Sequence, residues 1–180
     1  LHEVVPPCFL RVFSPAELVE LVAGRDGPLC VADWRAHTNV TAFAADSQVP
    51  IWFFDALEKM SPNARRRLLR FSTGCSGTPV GGFEALARVR KRNGDHGGAF
   101  TLAPLDIPGR SGSRIISSSS SGCDGDVGAD ERQADKYLPH ASTCFNTLRL
   151  PPYSSKCTLI HALNRLDEHL IAGASGFQCA

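Results

Sequence analysis

Leu138-Pro139-His140-Ala141-Ser142-Thr143-Cys144-Phe145-Asn146-Thr147-Leu148-Arg149-Leu150-Pro151-Pro152-Tyr153-Ser154-Ser155 is the stretch on which the reading of this chain turns. Pro139 and the small polar residues after it describe an exposed connection. Over 145–150 apolar and polar residues alternate, as in a half-buried strand. Pro151-Pro152 stops that strand, and Ser154-Ser155 caps a following helix. Cys144 therefore stands where a loop enters a strand, on a backbone fixed from behind, which is a suitable mount for a nucleophile. On residues alone a cysteine is more often a small core residue than a catalytic one, so both readings stand at this point.

Working outward, the helix after this stretch covers about 155–172. Leu159, Leu163, Leu166 and Leu170 recur at intervals of four, three and four along one face, and Gly173 is placed to end it. Upstream, Phe100 opens a short strand over 100–103. Between the two strands, 104–136 is different in kind: it holds five consecutive serines, glycines and acidic residues, with few large apolar side chains. Such a segment buries too little to offset its ordering entropy and reads as a disordered insertion.

Nearer the beginning, Ser14-Pro15-Ala16-Glu17 is a capping box with proline at the first helical position. The helix carries Leu18, Leu21 and Val22, and Gly24 ends it. Gly24-Arg25-Asp26-Gly27-Pro28 is a polar, flexible connector. A short helix is expected over 33–37. Another starts at Ser47 and carries Ile51, Phe54, Ala56, Leu57 and Met60, with Trp52 and Phe53 making it apolar around most of its circumference. Ser61-Pro62 opens a further helix through Phe71, with Leu68, Leu69 and Phe71 inward. Arg65-Arg66-Arg67 with Arg70, and Arg88-Val89-Arg90-Lys91-Arg92, read as solvated helix faces. The glycine-rich segment over 73–83 lacks the spacing of a phosphate-binding loop. It reads as a tight loop into a helix beginning near Phe83.

Composition narrows the classes. A chain of 180 residues with 43% hydrophobic and 21% charged residues can build a real core as one ordinary domain, or one domain with a fragment of another. A formal net charge of +1 argues against a chain built to bind nucleic acid or an anionic membrane. No apolar run is long enough for a transmembrane helix. No signal-peptide pattern opens the chain, which reads as the carboxyl-terminal piece of something longer. Seven cysteines, at 8, 30, 75, 123, 144, 157 and 179, form no Cys-x-x-Cys pair, so neither a zinc site nor a disulfide scaffold is indicated. Reduced thiols in the cytosol or nucleus are the natural reading, with the cysteines other than Cys144 as small structural residues. No metal and no cofactor is implied.

Three ordered motifs carry a resemblance. Leu138-Pro139, Thr143-Cys144-Phe145-Asn146, Leu148, Leu150-Pro151 and Tyr153-Ser154-Ser155 resemble the catalytic-cysteine segment of HECT-type ubiquitin ligases. Thr73-Gly74-Cys75-Ser76, followed by Pro79-Val80-Gly81-Gly82-Phe83, is similar to that family's glycine-rich segment. Gly176-Phe177, with the phenylalanine fourth from the end, is similar to its terminal Gly-Phe. Weaker similarity reaches back to Phe13 and Trp34. Three departures stand out: Ser142 where histidine is usual, Cys75 where threonine is usual, and Gly77 where arginine is usual.

The resemblance implies an α+β fold, a small β-sheet packed by several helices, preceded by a short helical segment and a hinge. It places the end of an amino-terminal lobe at 1–24, the hinge at 25–28, and the cysteine-bearing lobe at 29–180. It further implies a ubiquitin-protein transferase with ubiquitin, a ubiquitin-conjugating enzyme and protein substrates as partners. Cys144 would take ubiquitin as a thioester and pass it to a substrate lysine. A free thiol has a pKa of about 8.5, and thioester exchange needs only modest activation, so a protease-like triad is not required. Thr143 and Asn146 match the family and would orient the loop or the thioester carbonyl; local backbone capping is the alternative. His140 is either a proton partner for Cys144 or a solvated loop residue. Phe177 would position the tail during transfer. The competing classes are a degenerate lobe that binds ubiquitin or another partner, which Ser142 and Gly77 favour, and a cysteine hydrolase, which lacks its histidine and carboxamide.

Overall fold

Four short strands pair into one mixed sheet in the order β1-β2-β4-β3. They are β1 (Thr38–Val40), β2 (Phe100–Pro104), β3 (His140–Ser142) and β4 (Thr147–Leu150). β1 is parallel to β2, and β2 to β4, while β3 runs antiparallel to β4. This computed structural model describes residues 11–25, 27–91, 98–107 and 134–175, with the backbone alone at 22–23, 88–91 and 174–175. Among the described residues the helices are α1 (Pro15–Ala23), α2 (Val31–Ala36), α3 (Val49–Lys59), α4 (Pro62–Thr73), α5 (Gly82–Lys91) and α6 (Lys156–Ser175). The fold is α+β, a small sheet packed by several helices, as the motifs imply.

The two inner strands follow from period-two alternation. Phe100 and Leu102 of β2, and Leu148 and Leu150 of β4, are fully buried. The register sets Leu102 beside Leu148 and Pro104 beside Leu150, so both apolar rows meet the same core. The edge strands escaped the sequence reading: His140-Ala141-Ser142 was expected as an exposed connection, and Thr38-Asn39-Val40 carried no signal. Three-residue edges, largely polar and partly exposed, are too short to show alternation.

Helices close over this sheet. α4 packs on β3 and β4, α5 on β2, and α6 on α3 and α4. Trp34 of α2 is buried at the junction, stacked on Phe83 of α5 with centroids 4.8 Å apart and edge-on to Phe100 at 5.1 Å. The capping signals act as written. Ser14 and Glu17 exchange both bonds of the capping box, at 2.7 and 3.3 Å. Ser61 Oγ accepts from the Ala64 amide, and Gly74 closes α4 in the left-handed region at φ 82°.

Several expectations are corrected. Ile51 is exposed, because the buried arc of α3 runs through Val49, Phe53, Ala56 and Leu57, and Ile51 lies across the helix from it. Phe71 is only partly buried against the core. Gly173 does not end α6, which continues through Ser175; the glycine has no positive φ there and alanine and serine follow it. The presumed insertion is narrower than 104–136: Pro104 completes β2, Ile107 and Ala134 are buried, and the Asp135 carboxylate accepts from the Ser154 amide and hydroxyl at 3.0 and 2.6 Å. Its centre, 108–133, lies outside the described residues.

The arginine run on α4 is not a solvated face. Arg65 donates to the carbonyls of Leu57 and Glu58, at 2.8 and 2.9 Å, and so satisfies the end of α3. Arg67 grips Asp167 of α6 through two parallel bonds of 2.6 and 2.7 Å. Arg66 reaches back to the carbonyl of Gly27 at 3.1 Å, and of the four only Arg70 is exposed. Among the described residues no helix is long and apolar enough to cross a membrane.

Candidate active site

Between β3 and β4 the chain makes one turn of 3-10 helix, Thr143–Phe145, with Cys144 at its centre. The expected strand start at Phe145 is therefore corrected: β4 begins at Thr147, and Cys144 sits at the tip of a β-turn-β unit whose flanks pair Ser142 with Thr147. Asn146 makes the return possible. It adopts the left-handed conformation, φ 48° and ψ 38°, which asparagine tolerates better than most residues. Its amide donates to the Thr143 carbonyl at 3.3 Å, closing the turn.

The turn is anchored to the sheet on its strand side. The Asn146 carbonyl accepts from the Thr101 amide at 2.9 Å, and its side-chain Nδ2 donates to the Gly98 carbonyl at 3.2 Å. The Thr147 hydroxyl donates to the Phe145 carbonyl at 3.0 Å. From the other side α4 packs directly on the turn. Cys144 is consequently solvent-exposed on a backbone held from two directions. Beside it Phe145 is 61% exposed, an aromatic face that its place in an alternating run did not suggest.

Exposure alone does not single out Cys144. Cys30, Cys75 and Cys157 are exposed too, contrary to the reading of the remaining cysteines as small core residues; Cys8, Cys123 and Cys179 lie outside the described residues. Cys30 precedes α2, Cys157 lies in the first turn of α6, and Cys75 follows the end of α4. All three are element ends, where the chain surfaces. What distinguishes Cys144 is its anchored turn.

The glycine-rich segment comes to the same place. The Thr73 hydroxyl donates to the Leu69 carbonyl at 2.8 Å and accepts from the Cys75 amide at 3.2 Å, which folds the chain sharply past Gly74. Thr73, Cys75, Gly77 and Thr78 line a cavity of about 270 Å³ whose wall also includes Asn146 and Gly98. Two motifs some seventy residues apart thus meet at Asn146, the residue that closes the cysteine turn. Gly98 and Thr101 belong to this arrangement, and sequence reasoning missed both. They contribute only backbone atoms, so nothing in their side chains marked them.

The other candidates are placed as follows. Thr143 is exposed and its carbonyl closes the turn. His140 is exposed at the end of β3 farther from the turn, paired with Arg149. With a rise of about 3.3 Å per strand residue, it is carried away from the tip rather than stacked one turn below it. Phe177 lies outside the described residues. Among the described residues no group of three or more histidine, cysteine, aspartate or glutamate side chains is placed to hold a metal ion.

The model of the HECT domain, described as a ubiquitin-transferase domain, matches residues 1–168 of the chain. The chain belongs to the HECT-domain family. Curated relatives agree. It is 31% identical over 169 residues to the E3 ubiquitin-protein ligase pub1 of Schizosaccharomyces pombe, covering 94% of this chain and 18% of that protein. It is 33% identical over 154 residues to the human E3 ubiquitin-protein ligase NEDD4, covering 85% and 9%. With Drosophila melanogaster Smurf1, also an E3 ubiquitin-protein ligase, it shares 32% identity over 167 residues, covering 92% and 13%. The chain thus spans less than a fifth of the length of these relatives.

Proposed function

We propose that Cys144 is the nucleophile of a ubiquitin-protein transferase. The single observation that carries this reading is an exposed thiol at the tip of a turn held by Asn146, in a chain of the HECT family. Cys144 as thiolate attacks the thioester carbonyl joining ubiquitin's carboxyl terminus to a ubiquitin-conjugating enzyme, whose cysteine leaves as thiolate. The deprotonated amine of a substrate lysine then attacks the new thioester, the Cys144 thiolate departs as the amide forms, and the proton shed by the amine nitrogen passes to solvent or to the departing thiolate. Both steps conserve the acyl group, and no oxidant or cofactor enters.

The turn supplies position. Its backbone is fixed before the acyl group arrives, which lowers the entropic cost of alignment. Asn146 acts as a positioning residue, because its Nδ2 is engaged by Gly98 and its backbone by Thr101. Thr143 assists by closing the turn. His140, at the far end of β3, is the weaker candidate for a proton partner. Phe177 is assigned to holding the tail during transfer, on family grounds alone. We read 29–180 as the cysteine-bearing lobe, 25–28 as a hinge and 1–24 as the end of a preceding lobe. Ubiquitin, a conjugating enzyme and protein substrates are the partners this reading requires, in a reducing compartment, cytosol or nucleus, where the thiol persists.

The test is to incubate full-length protein with activating enzyme, conjugating enzyme and ubiquitin and to compare gels with and without reductant. A reductant-labile adduct that vanishes in Cys144→Ala, and a reductant-resistant ester in Cys144→Ser, are expected. Ubiquitin binding without any adduct would instead identify a binding module. Steady cleavage of ubiquitin conjugates would identify a hydrolase.

A further inference from the structure

The connector that follows α1 does not run loose across the surface. The Arg25 amide donates to the Thr78 carbonyl at 2.7 Å, an isolated antiparallel bridge between the connector and the glycine-rich loop. Two residues on, the Gly27 carbonyl accepts from the Arg66 guanidinium. The bridge brings two backbones unusually close. A Cβ on Gly77 would lie 2.6 Å from the Arg25 carbonyl oxygen and 3.1 Å from the Gly24 carbonyl carbon. A Cβ on Gly24 would lie 2.7 Å from the Gly77 oxygen.

Gly24 is also at φ 84°, so its own conformation requires glycine. Gly77 is not among the residues with positive φ. Nothing in its own backbone excludes a side chain. The conflict at Gly77 exists only while the connector is docked.

We propose that the connector, tied down at Arg25 and at Gly27, is a latched strap, and that glycine at 77 is the keeper of the latch. The strap side contributes Leu21 and Gly24 to the cavity that Gly77, Thr78 and Asn146 also line. Docking therefore closes a wall of the space beside the Cys144 turn, and undocking opens it and releases α1. The device couples the position of whatever precedes the strap to the surroundings of the turn. It holds whether or not Cys144 carries ubiquitin.

The test reads the strap without any transfer reaction: hydrogen–deuterium exchange in the full-length protein, followed by mass spectrometry of peptides spanning 24–28. Three variants are compared. Gly77→Ala places its methyl against the Arg25 carbonyl. Gly27→Ala is the control, since a Cβ there meets only the Arg25 side chain at 3.8 Å, an ordinary contact. Arg66→Met removes the second tie and serves should Gly77→Ala fail to accumulate. Overpacking by one methyl typically costs about 1–3 kcal/mol, a range that spans the ~1.4 kcal/mol equivalent to a tenfold change, so exchange at the strap is expected to speed up about tenfold in Gly77→Ala. Arg66→Met should speed it in the same direction, Gly27→Ala should leave it unchanged, and β2 and β4 should keep their protection in all three. Strap exchange within about twofold of the parent in Gly77→Ala, or in Arg66→Met where that variant stands in, overturns the proposal. So does equal loosening in Gly27→Ala. A failure of the transfer reading alone would leave these exchange rates untouched.

Discussion

Replacing Asn146 separates the two ways in which this residue holds the cysteine turn. It stands at φ 48° and its side chain donates to the Gly98 carbonyl. Alanine loses both advantages. An ordinary L-residue pays roughly 1–2 kcal/mol in the left-handed region, a penalty asparagine partly escapes, and a lost hydrogen bond costs about 1 kcal/mol. Asn146→Ala should therefore destabilise by about 2 kcal/mol. Glycine loses the hydrogen bond and adds chain entropy to the unfolded state, but it accepts the left-handed backbone without strain, so Asn146→Gly should cost only about 1 kcal/mol. Equilibrium urea unfolding with a common slope measures both. The alkylation rate of Cys144 by iodoacetamide, in a background where the other cysteines are serine, reports on the turn directly and should change more in alanine than in glycine. If the alanine and glycine variants prove equally stable, the backbone at 146 relaxes at no cost, and the argument that a left-handed asparagine fixes the turn is wrong.

Two further outcomes follow from the contacts. Arg67→Lys keeps the charge but loses the bidentate grip on Asp167. Because the pair is partly exposed, a double-mutant cycle with Asp167→Asn should return a coupling of about 1 kcal/mol or less, shrinking in high salt. Tyr153 is buried and its hydroxyl donates to the Tyr137 carbonyl at 3.0 Å; burial first, then the nearby Asp135, pushes its phenol well above the ordinary value of 10.0. Above pH 10 the unfolded chain loses this proton while the folded chain keeps it, so stability falls with rising pH until the folded group titrates as well. Tyr153→Phe should be less stable near neutrality by about 1 kcal/mol and should lack this component of the alkaline decline, as read from urea midpoints between pH 8 and about 11.

Much of the framework was legible because it depends on strong local signals. The Ser14 capping box, the Ser61-Pro62 start, Gly74 after α4 and the leucine face of α6 each state a helix in a few residues. Alternation around Leu148 announces β4, and Phe100 opens a short strand candidate over 100–103. What stayed hidden depends on tertiary partners. The arginines of α4 look like any charged helix face until Asp167, a hundred positions on, and the end of α3 come within reach. β3 exists only because β4 offers it an edge, and a polar tripeptide has no preference strong enough to show alone. Of the site, Cys144 and Asn146 can be named from the motif, but the motif leaves two roles open for Asn146. Its partners at Gly98 and Thr101 are backbone atoms forty-odd residues away in sequence, beyond any pattern of side chains. In sequence, exposed Phe145 reads as part of the strand, since a 3-10 turn three residues long carries no periodicity of its own.

The central claim concerns one sulfur atom, and mass spectrometry can locate the bond it forms. Full-length protein charged with ubiquitin should be trapped at low pH, digested without reductant and mapped. The account predicts a ubiquitin-derived Gly-Gly remnant on the peptide carrying Cys144, lost on treatment with thiol or hydroxylamine. Finding the remnant on Cys30, Cys75 or Cys157 with Cys144 unmodified would contradict it.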